Sequence, residues 1–157
     1  HYHKHGKKSR TFIFVKGSDE VWIKEKIFRR LHHTLFNVPV LLRQEKKVRP
    51  SDSKYRNLFL DTLRWQYVGS FYKECVDISF WVENLLFTIT FMDANTDKSV
   101  LSQIELEFDG HSSNNTKRPP IKKILATIDT VSQSLIPQVN SKYFTSLTKL
   151  EWLEGLK

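Results

Sequence analysis

Residues 71–108, FYKECVDISFWVENLLFTITFMDANTDKSVLSQIELEF, decide the fold. Within them Leu85, Phe87, Ile89 and Phe91 fall on one side of an extended chain, and Thr88 and Thr90 fall on the other. Successive strand residues point to opposite faces, so this alternation is the pattern of a half-buried strand. Ile104, Leu106 and Phe108 likewise share a face, with Gln103, Glu105 and Glu107 opposite. The residues between these runs, Asp93–Ser99, are rich in turn formers. Strands are therefore expected at about 71–82, 85–93 and 100–109. Trp81 alternates out of phase with Phe80 and Val82, so Phe80 and Trp81 cannot both face one core.

Working outward, Thr11–Val15 predicts a strand ended by the turn Lys16–Asp19. The next stretch reads two ways. Val21–Ile23 pair back as a hairpin strand, or Ser18 caps a helix that lines up Val21, Phe28, Leu31 and Leu35. A short strand at 20–25 followed by a helix at 26–35 is the favoured expectation. Val38–Leu42 is extended, because Pro39 disfavours helix for the residue before it. The charged residues 43–54 read as a loop.

Lys54–Tyr67 predicts a helix, with Tyr55, Leu58, Phe59, Thr62, Leu63 and Gln66 on one side and Gly69 as its stop. Residues 109–120, DGHSSNNTKRPP, read as a loop, and Pro119 and Pro120 suit the start of a helix. Ile121, Ile124, Leu125, Ile128, Val131 and Leu135 then recur at helical spacing, so a helix is expected near 120–135, ended by Pro137. Ser141 is placed to cap a last helix over 141–155, with Tyr143, Leu147, Leu150 and Leu153 on one stripe and Gly155 at its end. The reading is a single α+β domain over 1–157 with a polar, basic and ragged segment at 1–10.

Composition narrows the function. No apolar run approaches the ~20 residues of a membrane helix, and the polar, basic start HYHKHGKKSR does not resemble a signal peptide. The one cysteine, Cys75, excludes an internal disulfide and reads as a small buried hydrophobe. The net charge is +8, with Lys4, Lys7, Lys8, Arg10, Arg29, Arg30, Arg43, Lys46, Lys47 and Arg49 crowding the first third. A basic surface draws nucleic acid or acidic proteins, but these residues fall on no single helical face. A basic nucleic-acid-binding domain is thus one alternative function.

Glu105 and Glu107 carry the other. Two carboxylates at i and i+2 of a strand stand about 7 Å apart on one face, a spacing that can hold a divalent cation. IELEF, a helix and then Ser141-Lys142-Tyr143 resemble the end of the triphosphate-tunnel superfamily, whose metal-dependent phosphohydrolases use such pairs. That family opens with an acidic E-x-E-x-K strand, whereas Thr11–Lys16 has no carboxylate, and its Lys-x-Arg strand is here Lys73–Ile78, without arginine. The solvated face of a sheet is the preferred reading for both glutamates. His1, His3 and His5 alternate at the terminus with no partner carboxylate, and His32-His33 reads as a surface pair. Nucleotide-binding and hydrolase motifs are absent, and with five glycines there is no phosphate-cradling loop. No catalytic residue, metal or cofactor is assigned.

What remains is a surplus of large apolar side chains: four Trp and 11 Phe in a short chain. Rings beyond those one core can take suit a partner interface, and Trp81, Tyr143, Leu147, Leu150 and Trp152 are the candidate partner-binding residues. Three segments resemble the subunit-twenty family of the Mediator head module: HYHKHGKKSRTFIFVKGSDEVWI, LRWQYVGSFYKECVDISFWVENLLFTITFMD with SQIELEF, and SKYFTSLTKLEWL. The resemblance implies a strongly curved antiparallel sheet forming a β-barrel, closed or incomplete, with flanking helices. It also implies a non-enzymatic subunit in the nucleus. That subunit pairs with the subunit-eighteen barrel, is tethered through subunit eight, and relays activator signals to RNA polymerase II.

Overall fold

A computed structural model describes residues 1–4, 8–112, 119–138, 145 and 147–156. The elements in order are β1 (Tyr2–Lys4), β2 (Lys8–Phe14), β3 (Val21–His33), β4 (Pro39–Val48), α1 (Tyr55–Thr62), β5 (Gln66–Tyr67), β6 (Tyr72–Val82), β7 (Leu85–Asn95), β8 (Val100–His111), α2 (Ile121–Leu135) and α3 (Lys149–Glu154). A short 3-10 turn, Ile136–Gln138, follows α2 and contains Pro137.

The class is α+β, dominated by two antiparallel sheets. One has the order β4-β3-β2-β1-β5 and the other β6-β7-β8. Among the described residues neither sheet is closed into a barrel, which corrects the expected closure. Each sheet ends in two edge strands that pair with no further strand of that sheet. Contacts divide the chain into two compact units, His1–Leu31 with Leu41–Ser70 and Leu147–Lys157, and His32–Val40 with Phe71–Ser146.

In the first unit, β2 pairs with β3 from Lys8↔Ile27 to Phe14↔Val21. The turn between them needs Gly17, whose φ of 81° suits a residue without a Cβ. Helix α1 stacks Phe59 on Phe12 at 5.1 Å between ring centroids, and Tyr2 bridges Phe12 and Tyr67 at 5.1 and 5.4 Å. Beside these rings lies Arg10, only 5% exposed. Its Nε donates to Glu25 at 2.7 Å, and its Nη1 donates to Asp61 at 2.7 Å and to Thr62 Oγ1 at 3.0 Å. Its guanidinium also lies 4.1 Å from the centroid of the Trp65 ring. Within the basic segment expected to be ragged, residues 2–4 and 8–10 are strand, and Arg10 is an internal tie between β2, β3 and α1.

Three further expectations are corrected here. Residues 26–33 continue β3 as a strand, not a helix. Pairing with β2 buries Ile23 completely and turns Lys24 and Lys26 towards Glu45 of β4, so cross-strand partners outweigh the helical stripe. Residues 43–48 continue β4 for the same reason, and only then does the chain turn, with Asp52 accepting from the Arg49 backbone N–H at 2.9 Å. Helix α1 ends at Thr62, and Gln66–Tyr67 pair with β1. Gly69 does not end that helix; a Cβ there would meet Leu153 of α3 at 3.4 Å.

In the second unit, β6, β7 and β8 form the meander expected from the sequence. One face stacks rows of side chains: Phe80–Phe87–Phe108, then Ile78–Ile89–Leu106, then Val76–Phe91–Ile104. Ile124 and Ile128 of α2 pack with Val38 over the Phe87 and Leu85 end. Asp129 of α2 is 4% exposed and accepts from the Leu35 backbone N–H at 2.9 Å. Lys123 reaches Glu83 at 2.6 Å at the β6–β7 turn. Helix α3 starts at Lys149, with Thr148 as its N-cap in a capping box with Glu151, and residues 145, 147 and 148 are not helical; the expected cap Ser141 lies outside the described residues.

Candidate functional site

Glu105 and Glu107 share one face of the β6-β7-β8 sheet, as the alternation requires. In register, Asp77, Thr90 and Glu105 form one row, and Ser79, Thr88 and Glu107 the next. Thr90 donates to Asp77 at 2.6 Å and Thr88 donates to Asp109 at 2.5 Å. Both glutamates are half-buried on that face. Among the described residues no group of three His, Cys, Asp or Glu side chains is placed to hold a metal ion. Cys75 is exposed on the edge strand β6, which corrects its reading as a buried hydrophobe. His1 Nδ1 lies 2.8 Å from Thr11 Oγ1, and His5 falls outside the described residues.

The expected partner-binding residues that are described fall in both compact units. Trp81 is 56% exposed on β6, and Phe80 stacks on Phe87 at 6.1 Å in the core, so the two rings do part to opposite faces. Leu147 is exposed and Trp152 half-buried. Tyr143 lies outside the described residues, as does the side chain of Leu150. Trp81 belongs to the second compact unit, and the other described members belong to the first.

The opposite face of the β6-β7-β8 sheet holds an apolar surface that the sequence reading did not single out. Helix α2 covers only one end. At the other end Val76 is 63% exposed, Ile78 51%, Ile104 41% and Phe91 38%. Polar side chains border them: Glu74 opposes Asp93, and Ser102 donates to Asp93 at 2.5 Å. The alternation shows these apolar residues on one face, but not where the covering helix stops.

A second surface lies in the first unit, on the face of β3 and β4 opposite Arg10. Glu45 of β4 receives three cations: Lys24 and Arg43 at 2.5 Å and Lys26 at 3.3 Å. Lys26 is largely desolvated and crowded by Arg43, which lowers its ammonium pKa from 10.5 to about 8 in spite of Glu45. The surrounding cations bring the Glu45 carboxyl down to about 2, against the opposing effect of burial. Farther along, Lys47 lies 4.0 Å and Arg49 5.1 Å from the centroid of the Trp22 ring. The Trp22 indole N–H donates to Glu20 at 3.1 Å. Reading 26–35 as helix and 43–54 as loop hid this face, because its members align only at a period of two.

Compared with known proteins, the chain matches no family model, and no curated protein or solved structure is significantly similar to it.

Proposed function

We propose that this chain is a non-catalytic assembly subunit that docks a protein partner on the uncovered end of the β6-β7-β8 sheet. The observation that carries this is the row Val76–Phe91–Ile104 with Ile78, an exposed apolar centre bordered by Glu74, Asp93 and Ser102. An apolar centre inside a polar rim is the anatomy of a protein interface, and a stable one buries on the order of 1,200–2,000 Å² in total. The specific assignment is to the Mediator head module, in the nucleus, beside the subunit-eighteen barrel and the subunit-eight tether, upstream of RNA polymerase II. It rests on the three resembling segments alone, since the two open sheets lend no support from a shared barrel.

The test is co-expression with the subunit-eighteen and subunit-eight proteins of the same source, followed by size-exclusion chromatography. The wild-type chain is expected to co-elute with them. The double variant Val76→Thr, Ile104→Thr should elute alone with an unchanged circular-dichroism spectrum, because threonine keeps strand propensity while removing apolar surface. Failure of the wild-type chain to co-elute would sink the Mediator assignment. Equal co-elution of the double variant would remove the sheet face from the interface.

A further inference from the structure

We propose that the β3–β4 face of the five-stranded sheet docks the phosphate backbone of a single-stranded nucleic acid. This goes beyond the assembly reading, since it concerns the other compact unit and a different chemistry.

Lys24, Lys26, Lys47 and Arg49 stand on one face with Arg43, and Glu45 and Glu20 lie among them. These cations are held in place. Glu45 ties Lys24 and Lys26, and the Trp22 ring carries Lys47 and Arg49. A positioned cation loses less conformational freedom on meeting a phosphate than a free surface lysine does. Their order also matters. Residues at i and i+2 of a strand repeat about every 7 Å, so Lys24 and Lys26 form one short run of charge; Lys47 near the end of β4 and Arg49 just beyond it gather over the Trp22 ring as a second, and both runs suit successive phosphates of an extended chain.

The same geometry disfavours a compact anion. The point where Lys24, Lys26 and Arg43 converge is already taken by the Glu45 carboxylate. A small phosphate would have to displace it, whereas a long polyanion can pass along the cations without doing so. Trp22 already carries Lys47 and Arg49, so binding is expected to track the backbone and to be nearly indifferent to base sequence.

Fluorescence anisotropy of the whole chain with a labelled 15-mer oligouridylate, over a salt series, tests this. With about four phosphate contacts, log K should fall against log salt with a slope of about −3. Lys47→Gln with Arg49→Gln should weaken binding and flatten the slope by about 1.4. Lys46→Gln, which alternates to the other side of β4, should change neither by as much. Circular dichroism confirms that each variant is folded. Tripolyphosphate should compete poorly at equal phosphate concentration, and polyglutamate of equal charge should bind more weakly than the RNA. A flat salt response, a slope unchanged in the Lys47/Arg49 variant, an equal loss in Lys46→Gln, stronger competition by tripolyphosphate, or tighter binding of polyglutamate would each overturn the proposal.

Discussion

Arg10 shows how far a residue's role can differ from its charge. It sits among basic neighbours in the sequence, yet the fold encloses it and gives it Glu25, Asp61, Thr62 and the Trp65 ring. Arg10→Ala would leave Glu25 largely buried without its counter-charge. Removing one partner of a buried pair costs about 3–5 kcal/mol, and the low end is expected because Asp61 is 48% exposed. A drop in the urea midpoint of unfolding checks this. Arg10→Lys should recover less than half of the loss, since an ammonium cannot serve Glu25 and Asp61 with a planar fork. Lys26 and Glu45 set the pH response. Glu45 stabilises the fold fully above its ordinary pKa of 4.5, and that contribution is lost as pH falls towards about 2. Lys26 acts in the other direction. Between about 8 and 10.5 the unfolded chain holds a proton that the folded chain has released, so stability rises with pH across that window. Lys26→Met should abolish the alkaline rise, which solvent access limits to on the order of 1–2 kcal/mol, as read from urea midpoints at pH 7.5 and 10.

Among the elements, α2 was legible and β3 was not, and the reason is physical. The stripe of α2 meets a core directly, through Ile124 and Ile128, so its period survives in the sequence. The partners of β3 lie on β2 and β4. Its charged residues alternate because Lys24 and Lys26 answer Glu45 while Glu25 answers Arg10. No local window contains that information, and the same residues mimic one turn of a polar helix. The strands β6 to β8 were legible because each turn is short and each strand alternates, but the burial along β7 was not. Leu85, Phe87 and Ile89 are buried on one face and Thr90, Met92 and Ala94 on the other, so Phe91 is exposed where the alternation predicts core. Asp129 gives α2 a second duty. Asp129→Ala should cost about 1–3 kcal/mol by leaving the Leu35 N–H without its acceptor. Asp129→Asn, which keeps a carbonyl oxygen, should cost less. Hydrogen exchange at the Leu35 amide reads the difference.

The molecule as a whole places two unlike surfaces on two sheets, one apolar and one basic. Neither was visible as a surface in the sequence, although every residue of each was in view. What the sequence lacked was the end point of α2 on one sheet and the strand character of 26–33 and 43–48 on the other. If the apolar row is covered in the cell, the isolated chain should show it. Dye binding by 8-anilinonaphthalene-1-sulfonate is expected to be strong for the wild-type chain and several-fold weaker for Val76→Thr with Ile104→Thr, at equal far-ultraviolet dichroism.

Strand β6 forms one border of its sheet, and its side chains Tyr72, Val76, Ile78 and Trp81 are all exposed. Among the described residues no strand pairs on that border; such an edge is a template on which a second copy can zip, and the thiol of Cys75 lies in the same strip. Concentrated, air-exposed stocks should therefore accumulate covalently locked dimers that a reductant disperses, and Cys75→Ser should slow their appearance on non-reducing gels.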